Sequence, residues 1–172
     1  MRKILSACAM TLVLGGAVHA QDVDLGLNAG FADYPGLGNK GFYMSGSFSL
    51  STKHIVFGFG VDWHNREDYG ARAIVPNISI LPKIAIERSY LYIGPMAGVI
   101  MVDYDFPARN APARDVSTFL VGGRIGGSGY LTKRLALNVD VSPRILLDKE
   151  NPNLRYYPSR YMAVSAGLRI RL

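Results

Sequence analysis

The chain has 172 residues, of which 49% are hydrophobic and only 19% are charged, and this balance excludes a disordered protein. Its 19 glycines and 10 tyrosines beside a single cysteine are typical of strands and turns rather than helices. The formal net charge of +6 is modest and spread along the chain, so we predict no nucleic-acid partner.

The first 20 residues have the features of an export signal. Arg2 and Lys3 provide a charged start, a short apolar run follows, and Val18 and Ala20 stand at the −3 and −1 positions of a cleavage site. The apolar run is too short to span a bilayer. We therefore predict a signal peptide over residues 1–20.

The remaining residues, 21–172, have the length of one domain. The single cysteine, Cys8, lies inside the predicted signal, so the mature domain has none. This excludes a disulfide framework, a thiol nucleophile and a cysteine-based zinc site from that domain. Removal of Arg2 and Lys3 also lowers the 19 basic residues to 17 against 13 acidic ones, which leaves a net charge of +4.

Apolar and polar residues alternate with a period of two along the mature domain, and no segment keeps a period of 3.6. The pattern predicts eight strands, at 23–31, 42–50, 55–63, 74–86, 91–101, 119–131, 135–141 and 162–172. Pro76 and Pro82 fall on the fourth strand, where we expect a bulge or bent pairing because proline cannot donate a hydrogen bond.

The predicted connections are alternately short and long. The short ones lie around 51–53, 87–89 and 131–133, and the long ones cover 33–40, 64–70, 103–115 and 144–160. An even number of antiparallel strands with short turns at one end and long loops at the other is typical of an outer-membrane barrel. About 11 residues per strand, at roughly 3.3 Å each and a tilt of about 45°, span on the order of 25 Å, which matches the apolar band of such barrels.

The two faces of the strands favour a membrane barrel over a soluble one. One face carries Ile, Leu, Val and Phe, which suits lipid, where a midplane charge costs about 2–4 kcal/mol. The other carries Gly, Ser, Ala and Asn, which suits a crowded lumen. A soluble periplasmic barrel that binds an apolar ligand inside would have the opposite arrangement, and it stays open as an alternative. Aromatic residues near predicted strand ends are interpreted as membrane girdles: Tyr34, Tyr43, Tyr69, Tyr90, Tyr104, Phe106, Tyr130, Tyr156 and Tyr157.

The last eight residues, S-A-G-L-R-I-R-L, alternate in the manner of a barrel assembly signal, with Ser165, Gly167, Ile170 and Leu172 at its key positions. With this segment and the strand pattern, residues 21–172 resemble the small eight-stranded outer-membrane β-barrel proteins of the OmpX and OmpA transmembrane-domain type. Members usually end in Phe or Trp, and Leu172 departs from that. The resemblance implies an all-β, up-and-down transmembrane barrel in the outer membrane, in contact with lipid and lipopolysaccharide and recognised by the barrel assembly machinery through the C-terminal strand.

The mature domain offers little catalytic chemistry. Lipid-modifying barrels need a histidine with a serine nucleophile and an acidic or amide partner, and the only histidines are His54 and His64. Asp62 and His64 share a face near the loop end, where we interpret His64 as a rim residue. Two histidines at opposite ends of a strand cannot bind one metal ion, so we predict no metal or other cofactor. We expect a non-catalytic protein, with a rim-sited lipid-modifying enzyme as the alternative.

The strand pattern also predicts a charge network inside the lumen. Arg124 and Asp140 are on the inward face, and a turn centred on Thr132 would set them directly opposite each other. Asp24 and Arg169 are expected to form a second pair across the seam between the last and first strands. Because eight strands enclose a lumen that side chains just fill, these pairs predict a plugged barrel.

The last long loop contains the candidate surface contact. Its segment N-L-R-Y-Y-P-S-R-Y mixes arginine with tyrosine and includes Arg155, Tyr156, Tyr157 and Arg160. Arginine binds phosphate and tyrosine packs against sugar rings, so this loop could contact lipopolysaccharide or a protein partner.

Overall fold

The computed structural model describes residues 22–33, 40–66, 71–104, 116–147 and 159–172. These residues form eight strands: β1 (Asp22–Asp33), β2 (Lys40–Ser51), β3 (Ile55–Arg66), β4 (Ala71–Ile86), β5 (Ser89–Tyr104), β6 (Val116–Tyr130), β7 (Leu135–Leu146) and β8 (Arg160–Arg171). Each strand pairs antiparallel with the next, and β8 pairs with β1 to close the barrel. The predicted all-β, eight-stranded antiparallel barrel is confirmed. Within the described ranges, no helix is long and apolar enough to cross a membrane.

The alternation of residues along the strands separates an apolar outer face from a polar inner one. In β1, Leu27 is 72% exposed on the outside, whereas Asp24 is 0% exposed on the inside. The same contrast recurs around the barrel, where Ile78, Ile93 and Phe119 are exposed. An apolar exterior around a polar interior suits lipid and is the reverse of a soluble ligand-binding barrel. The soluble alternative is therefore wrong.

Two of the turns at the short-connection end are built in the same way. In the β6–β7 turn, the Thr132 hydroxyl accepts hydrogen bonds from the backbone N–H groups of Arg134 at 3.2 Å and Leu135 at 3.0 Å. In the β2–β3 turn, the Thr52 hydroxyl accepts bonds from His54 and Ile55. Threonine stabilises such turns because its hydroxyl satisfies backbone donors that the strands cannot pair.

The β6–β7 turn sets a different register from the predicted one. Its backbone hydrogen bond from Leu131 to Leu135 centres the turn on Lys133 rather than on Thr132. As a result, Asp140 lies opposite Gly126, and the predicted direct opposition of Asp140 and Arg124 is wrong by two residues. Both side chains still point inward, because a shift of two residues keeps the face.

The prolines alter hydrogen bonding without changing the register. Pro76 lies opposite Val61 and Pro82 opposite Ile55, and one register holds along the whole β3–β4 pair. The β4–β5 pairing also keeps one register, although neither proline is paired across it. The expectation of a bulge is therefore wrong, whereas the β4–β5 pairing is interrupted around each proline, as irregular pairing there would require. Proline removes a ladder hydrogen bond, and the strand continues past it.

The seam between β8 and β1 joins the two ends of the described chain. Asp24 lies opposite Arg171 and Asp33 lies opposite Met162. Beyond the last strand, the backbone N–H of Leu172 donates to the Val23 carbonyl at 2.8 Å. The described chain therefore begins and ends beside the short turns, and the seam leaves neither edge of the sheet open.

Candidate functional site in the barrel lumen

The middle of the lumen holds a buried ion pair. Arg124 Nε lies 2.8 Å from Asp140 Oδ2, and the two side chains are 6% and 1% exposed. Tyr92 donates its hydroxyl to the same carboxylate oxygen at 2.7 Å. A Cβ atom on Gly126 would lie only 2.5 Å from the Tyr92 hydroxyl, so the glycine provides the space that this network needs. The structure thus brings the predicted residues Arg124 and Asp140 together, with Tyr92 as a third member.

Amide and hydroxyl groups carry this network across the lumen. Ser128 donates to Asn138 Oδ1 at 2.7 Å, and Tyr92 lies 3.2 Å from the same oxygen. Asn138 Nδ2 then donates to Asn28 Oδ1 at 3.3 Å. These bonds join β5, β6 and β7 to β1, so side chains bridge the lumen at its middle.

Closer to the loop end lies a second ion pair that the sequence analysis missed. Arg144 Nη2 is 2.6 Å from Asp62 Oδ2, and both side chains are almost completely buried. Arg144 also donates to the Tyr161 and Tyr43 hydroxyls, at 3.3 and 3.2 Å. Asn77 donates to the Asp62 carboxylate at 2.9 Å. Five side chains from five strands therefore meet in this layer.

Arg144 was predicted to begin a loop, and that prediction is wrong because β7 extends to Leu146. The signal was present in the sequence, since Asn138, Asp140, Ser142 and Arg144 continue a single period-two face. Pro143 obscured it, because proline usually ends a strand that needs its N–H. In the structure Pro143 lies on the outer face and is exposed.

Apolar side chains surround the loop-side ion pair. Buried members of this cluster include Ala32, Ile100, Val102, Leu120 and Leu146. They face inward near the loop end, where the strands would otherwise open to solvent. The ion pair is therefore shielded from water, which strengthens its electrostatic attraction and raises the cost of breaking it.

The turn-side layer differs from the predicted second pair. Asp24 lies opposite Arg171, whose Nε is 3.6 Å from Asp24 Oδ1. Arg169 instead lies opposite Gly26, donates to the Tyr90 hydroxyl and has no carboxylate within 4 Å among the described residues. The expected Asp24–Arg169 contact is corrected to Asp24–Arg171, because the seam register places Arg171 across from the acid.

Three tyrosines assigned to the membrane girdle lie inside the barrel. Tyr43 and Tyr90 are buried, and Tyr130 is half-buried with its ring 4.2 Å from the Arg171 guanidinium. Each belongs to the inward face of its strand, where its hydroxyl reaches a lumen arginine. The girdle interpretation is wrong for these three because it used their distance from strand ends and not their face. The side chains of the other six lie outside the described residues.

Comparisons with solved structures place this geometry among known proteins. Neisserial surface protein A is 15% identical, with a TM-score of 0.66 over 88% of this chain and 96% of that one. OprG from Pseudomonas aeruginosa is 10% identical, with a TM-score of 0.60 over 90% and 97%. The outer membrane enzyme PagL is 13% identical, with a TM-score of 0.54 over 86% and 98%. No known family profile and no curated protein sequence matches the chain.

The chain has the fold of the small outer-membrane β-barrels. Its apolar exterior fits the outer-membrane location that this fold and the sequence pattern indicate. Because the group includes an enzyme as well as a surface protein, the fold leaves the activity open. The activity has to be argued from the side chains.

The lipid-modifying alternative depended on His64, and this residue lies inside the outer-membrane barrel and not at its rim. His64 is completely buried, with its ring packed edge-on between Tyr43, at a centroid distance of 5.1 Å, and Tyr161, at 5.3 Å. His54 is exposed in the β2–β3 turn. Across the described part of the chain, no group of three or more His, Cys, Asp or Glu side chains could hold a metal ion.

The candidate surface contact is only partly described. Arg155, Tyr156 and Tyr157 lie outside the described residues, and Arg160 is exposed at the start of β8. The neighbouring Tyr161 points into the lumen and binds Arg144, so it belongs to the loop-side layer and not to the surface.

Proposed function

We propose that the protein is a non-catalytic integral outer-membrane barrel with a side-chain-plugged lumen, which contributes to envelope structure or surface contact. The observation that carries this proposal is the pair of buried ionic layers, Arg124 with Asp140 and Arg144 with Asp62. A lumen filled by paired charges leaves no site for a substrate in its middle. The functional contacts of such a protein are then made by its outer face and its loops.

The proposed partners follow from those two surfaces. The apolar outer face contacts membrane lipid, and the loop end, with the exposed Arg160, faces the anionic lipopolysaccharide. Strand β8 supplies the terminal segment for the barrel assembly machinery. A surface partner would bind the loop that contains Arg155, Tyr156 and Tyr157.

The burial of His64 supports the non-catalytic proposal over the lipid-modifying alternative. A general base has to come within hydrogen-bonding distance of its substrate, and tyrosine rings cover two sides of His64. An acyl chain could reach this imidazole only if the loop-side layer opened. The layer is held by the Arg144–Asp62 pair at 2.6 Å.

A strain that lacks the protein tests the proposal. We expect greater sensitivity to detergent or loss of a surface contact, with no change in lipid A or phospholipid composition by mass spectrometry. The His64→Phe variant, which keeps a ring between the two tyrosines, should restore the wild-type phenotype fully. A lipid change in the deletion strain that wild type reverses and His64→Phe does not would establish the enzyme alternative instead.

A further inference from the structure

The barrel mouth at the turn end, hereafter the turn-end mouth, is an open cavity of about 830 Å³. Three turns and both terminal strands contribute to it. Its inner part is formed by Lys83, Tyr90, Tyr130 and Arg171, and its rim by residues of the turns. It is separate from the two ionic layers described above, which lie deeper in the lumen.

Positive charge predominates in the turn-end mouth. The basic side chains that line it are Lys53, Lys83, Arg88, Lys133 and Arg171, and the acidic ones are Asp22 and Glu87. Five positive and two negative charges give a net charge of +3. Of the five basic groups, only Arg171 has a carboxylate within 4 Å among the described residues, so the other four are available to an external anion.

Lys83 is the innermost of these unpaired cations. It is half-buried, donates to the Ser51 hydroxyl, and holds its Nζ atom 5.0 Å from the centre of the Tyr90 ring. A ring face and a hydroxyl fix the position of an ammonium group without neutralising its charge. Lys83 is therefore pre-positioned to bind an anion.

Two arginines beside Lys83 add to the positive potential. Arg171 stacks 4.2 Å from the Tyr130 ring and lies 3.1 Å from Asp22, so its guanidinium is held in place at the cavity wall. Below it, Arg169 is only 4% exposed, and its side chain donates to the Tyr90 hydroxyl. The buried Asp24 carboxylate lies 3.6 Å from Arg171 and also interacts electrostatically with Arg169, so it offsets one of these positive charges. With Arg169 and Asp24 both included, the net charge at this end of the lumen stays +3.

We propose that the turn-end mouth binds a phosphate-bearing anion. Ammonium and guanidinium groups are the side chains that bind phosphate oxygens, and here they are fixed by aromatic rings and by short turns. A cavity of 830 Å³ has the size of a small-molecule site and exceeds the needs of inorganic phosphate alone. The phosphate could belong to the headgroup of an anionic phospholipid or to a free solute. The inference does not depend on the proposed function.

Titration of the folded, isotope-labelled barrel in nanodiscs, followed by amide NMR, tests this inference. In phosphatidylcholine nanodiscs, glycerol phosphate should shift the signals of Lys83, Tyr90 and Arg171 if the site takes a free solute. In nanodiscs that also contain phosphatidylglycerol, shifts of the same signals without added solute would identify the lipid headgroup. Either result supports the site, and the two arms distinguish its source.

Substitutions establish whether the shifts report a specific site. The Lys83→Gln variant keeps a donor for Ser51 and loses the charge, and Lys53→Gln with Lys133→Gln removes two exposed rim charges. Each is expected to weaken binding about tenfold, which corresponds to about 1.4 kcal/mol. The matched control for Lys83→Gln is Arg72→Gln, which removes one exposed charge at the loop end and should leave binding unchanged.

The inference is overturned if neither arm shifts the signals of the turn-end mouth. It is also overturned if the loop-end control weakens binding as much as Lys83→Gln does, since the anion would then respond only to net charge. Amide spectra of each variant without added anion show that the barrel is folded.

Discussion

Arg124 and Asp140 are paired diagonally and not directly across the β6–β7 ladder. Asp140 lies opposite Gly126, and the long guanidinium side chain of Arg124 reaches two residues along its own strand to the carboxylate. The absence of a side chain on Gly126 leaves room for Tyr92 to join them. A glycine on the lumen face therefore has a specific role, since it makes space for a larger neighbour on the adjacent strand.

We predict strong coupling between Arg124 and Asp140. Arg124→Met or Asp140→Leu should each lower the free energy of unfolding by about 3–5 kcal/mol, because the remaining charge is buried without its partner. The double variant should lose much less than the sum of the two. Urea unfolding in detergent measures the cycle, and the exposed Arg160→Met should change stability by at most about 0.5 kcal/mol. Additive losses would contradict the pairing.

Because the outer face is apolar, we predict that the folding cost of a charged substitution there depends on its depth in the membrane. Val139 and Leu131 are both 56% exposed, but Val139 lies within β7 and Leu131 lies in a turn. Val139→Arg should cost about 2–4 kcal/mol of folding free energy in a bilayer, and Leu131→Arg only about 0–1 kcal/mol. Unfolding titrations in lipid vesicles compare the two directly. Equal costs would mean that Val139 does not face the hydrocarbon core.

At the scale of elements, the turn of the β4–β5 hairpin contains one residue whose backbone conformation is unfavourable for an amino acid with a side chain. Glu87 adopts a φ of 50°, the left-handed region, which costs a residue other than glycine about 1–2 kcal/mol. Arg88, the second turn residue, does not have a positive φ. The two positions of this turn therefore have opposite preferences for glycine.

We predict that Glu87→Gly stabilises the barrel and that Arg88→Gly destabilises it. The first change relieves the left-handed backbone and should add up to about 1 kcal/mol, after the entropy that glycine loses on folding is subtracted. The second only adds that entropy, at a cost of about 0.5–1 kcal/mol. The midpoints of unfolding in detergent give both signs. The same sign for both variants would show that the backbone of Glu87 is not strained.

The strands and their faces could be predicted from the sequence, because lipid outside and a polar lumen inside impose a period of two on every strand. The register could not, since moving the centre of the β6–β7 turn from Thr132 to Lys133 shifts every pair by two residues. That centre depends on hydrogen bonds to one threonine hydroxyl. The Arg124–Asp140 contact was found because it needed only the correct face, whereas the partner of Asp24 depended on the exact seam register.

For the whole molecule, the two ionic layers lie one after the other along the lumen. One lies at the middle, with Arg124 and Asp140, and the other towards the loops, with Arg144 and Asp62. An ion that crosses the lumen has to pass both. Loss of one layer therefore leaves the other in place.

We predict no steady ion conductance for the wild-type barrel in planar bilayers. Arg124→Ala with Asp140→Ala, or Arg144→Ala with Asp62→Ala, should also remain closed, because each double variant removes one layer and leaves no unpaired charge. Only the fourfold variant should conduct, provided that its strand content by circular dichroism is that of a folded barrel. Steady current through the wild type would overturn the plugged lumen and indicate a pore.

Closure between β8 and β1 also means that the position of the chain ends is arbitrary. The backbone N–H of Leu172 already reaches the Val23 carbonyl, so a short linker could join the two ends. New ends could then be opened in the exposed turn between Glu87 and Arg88, which would give a circular permutant with the same eight strand pairs. Its β8–β1 pair would become a local hairpin, and its β4–β5 pair would become the long-range one. Because distant pairs form slowly, the permutant should change the order in which strands pair while keeping the final barrel.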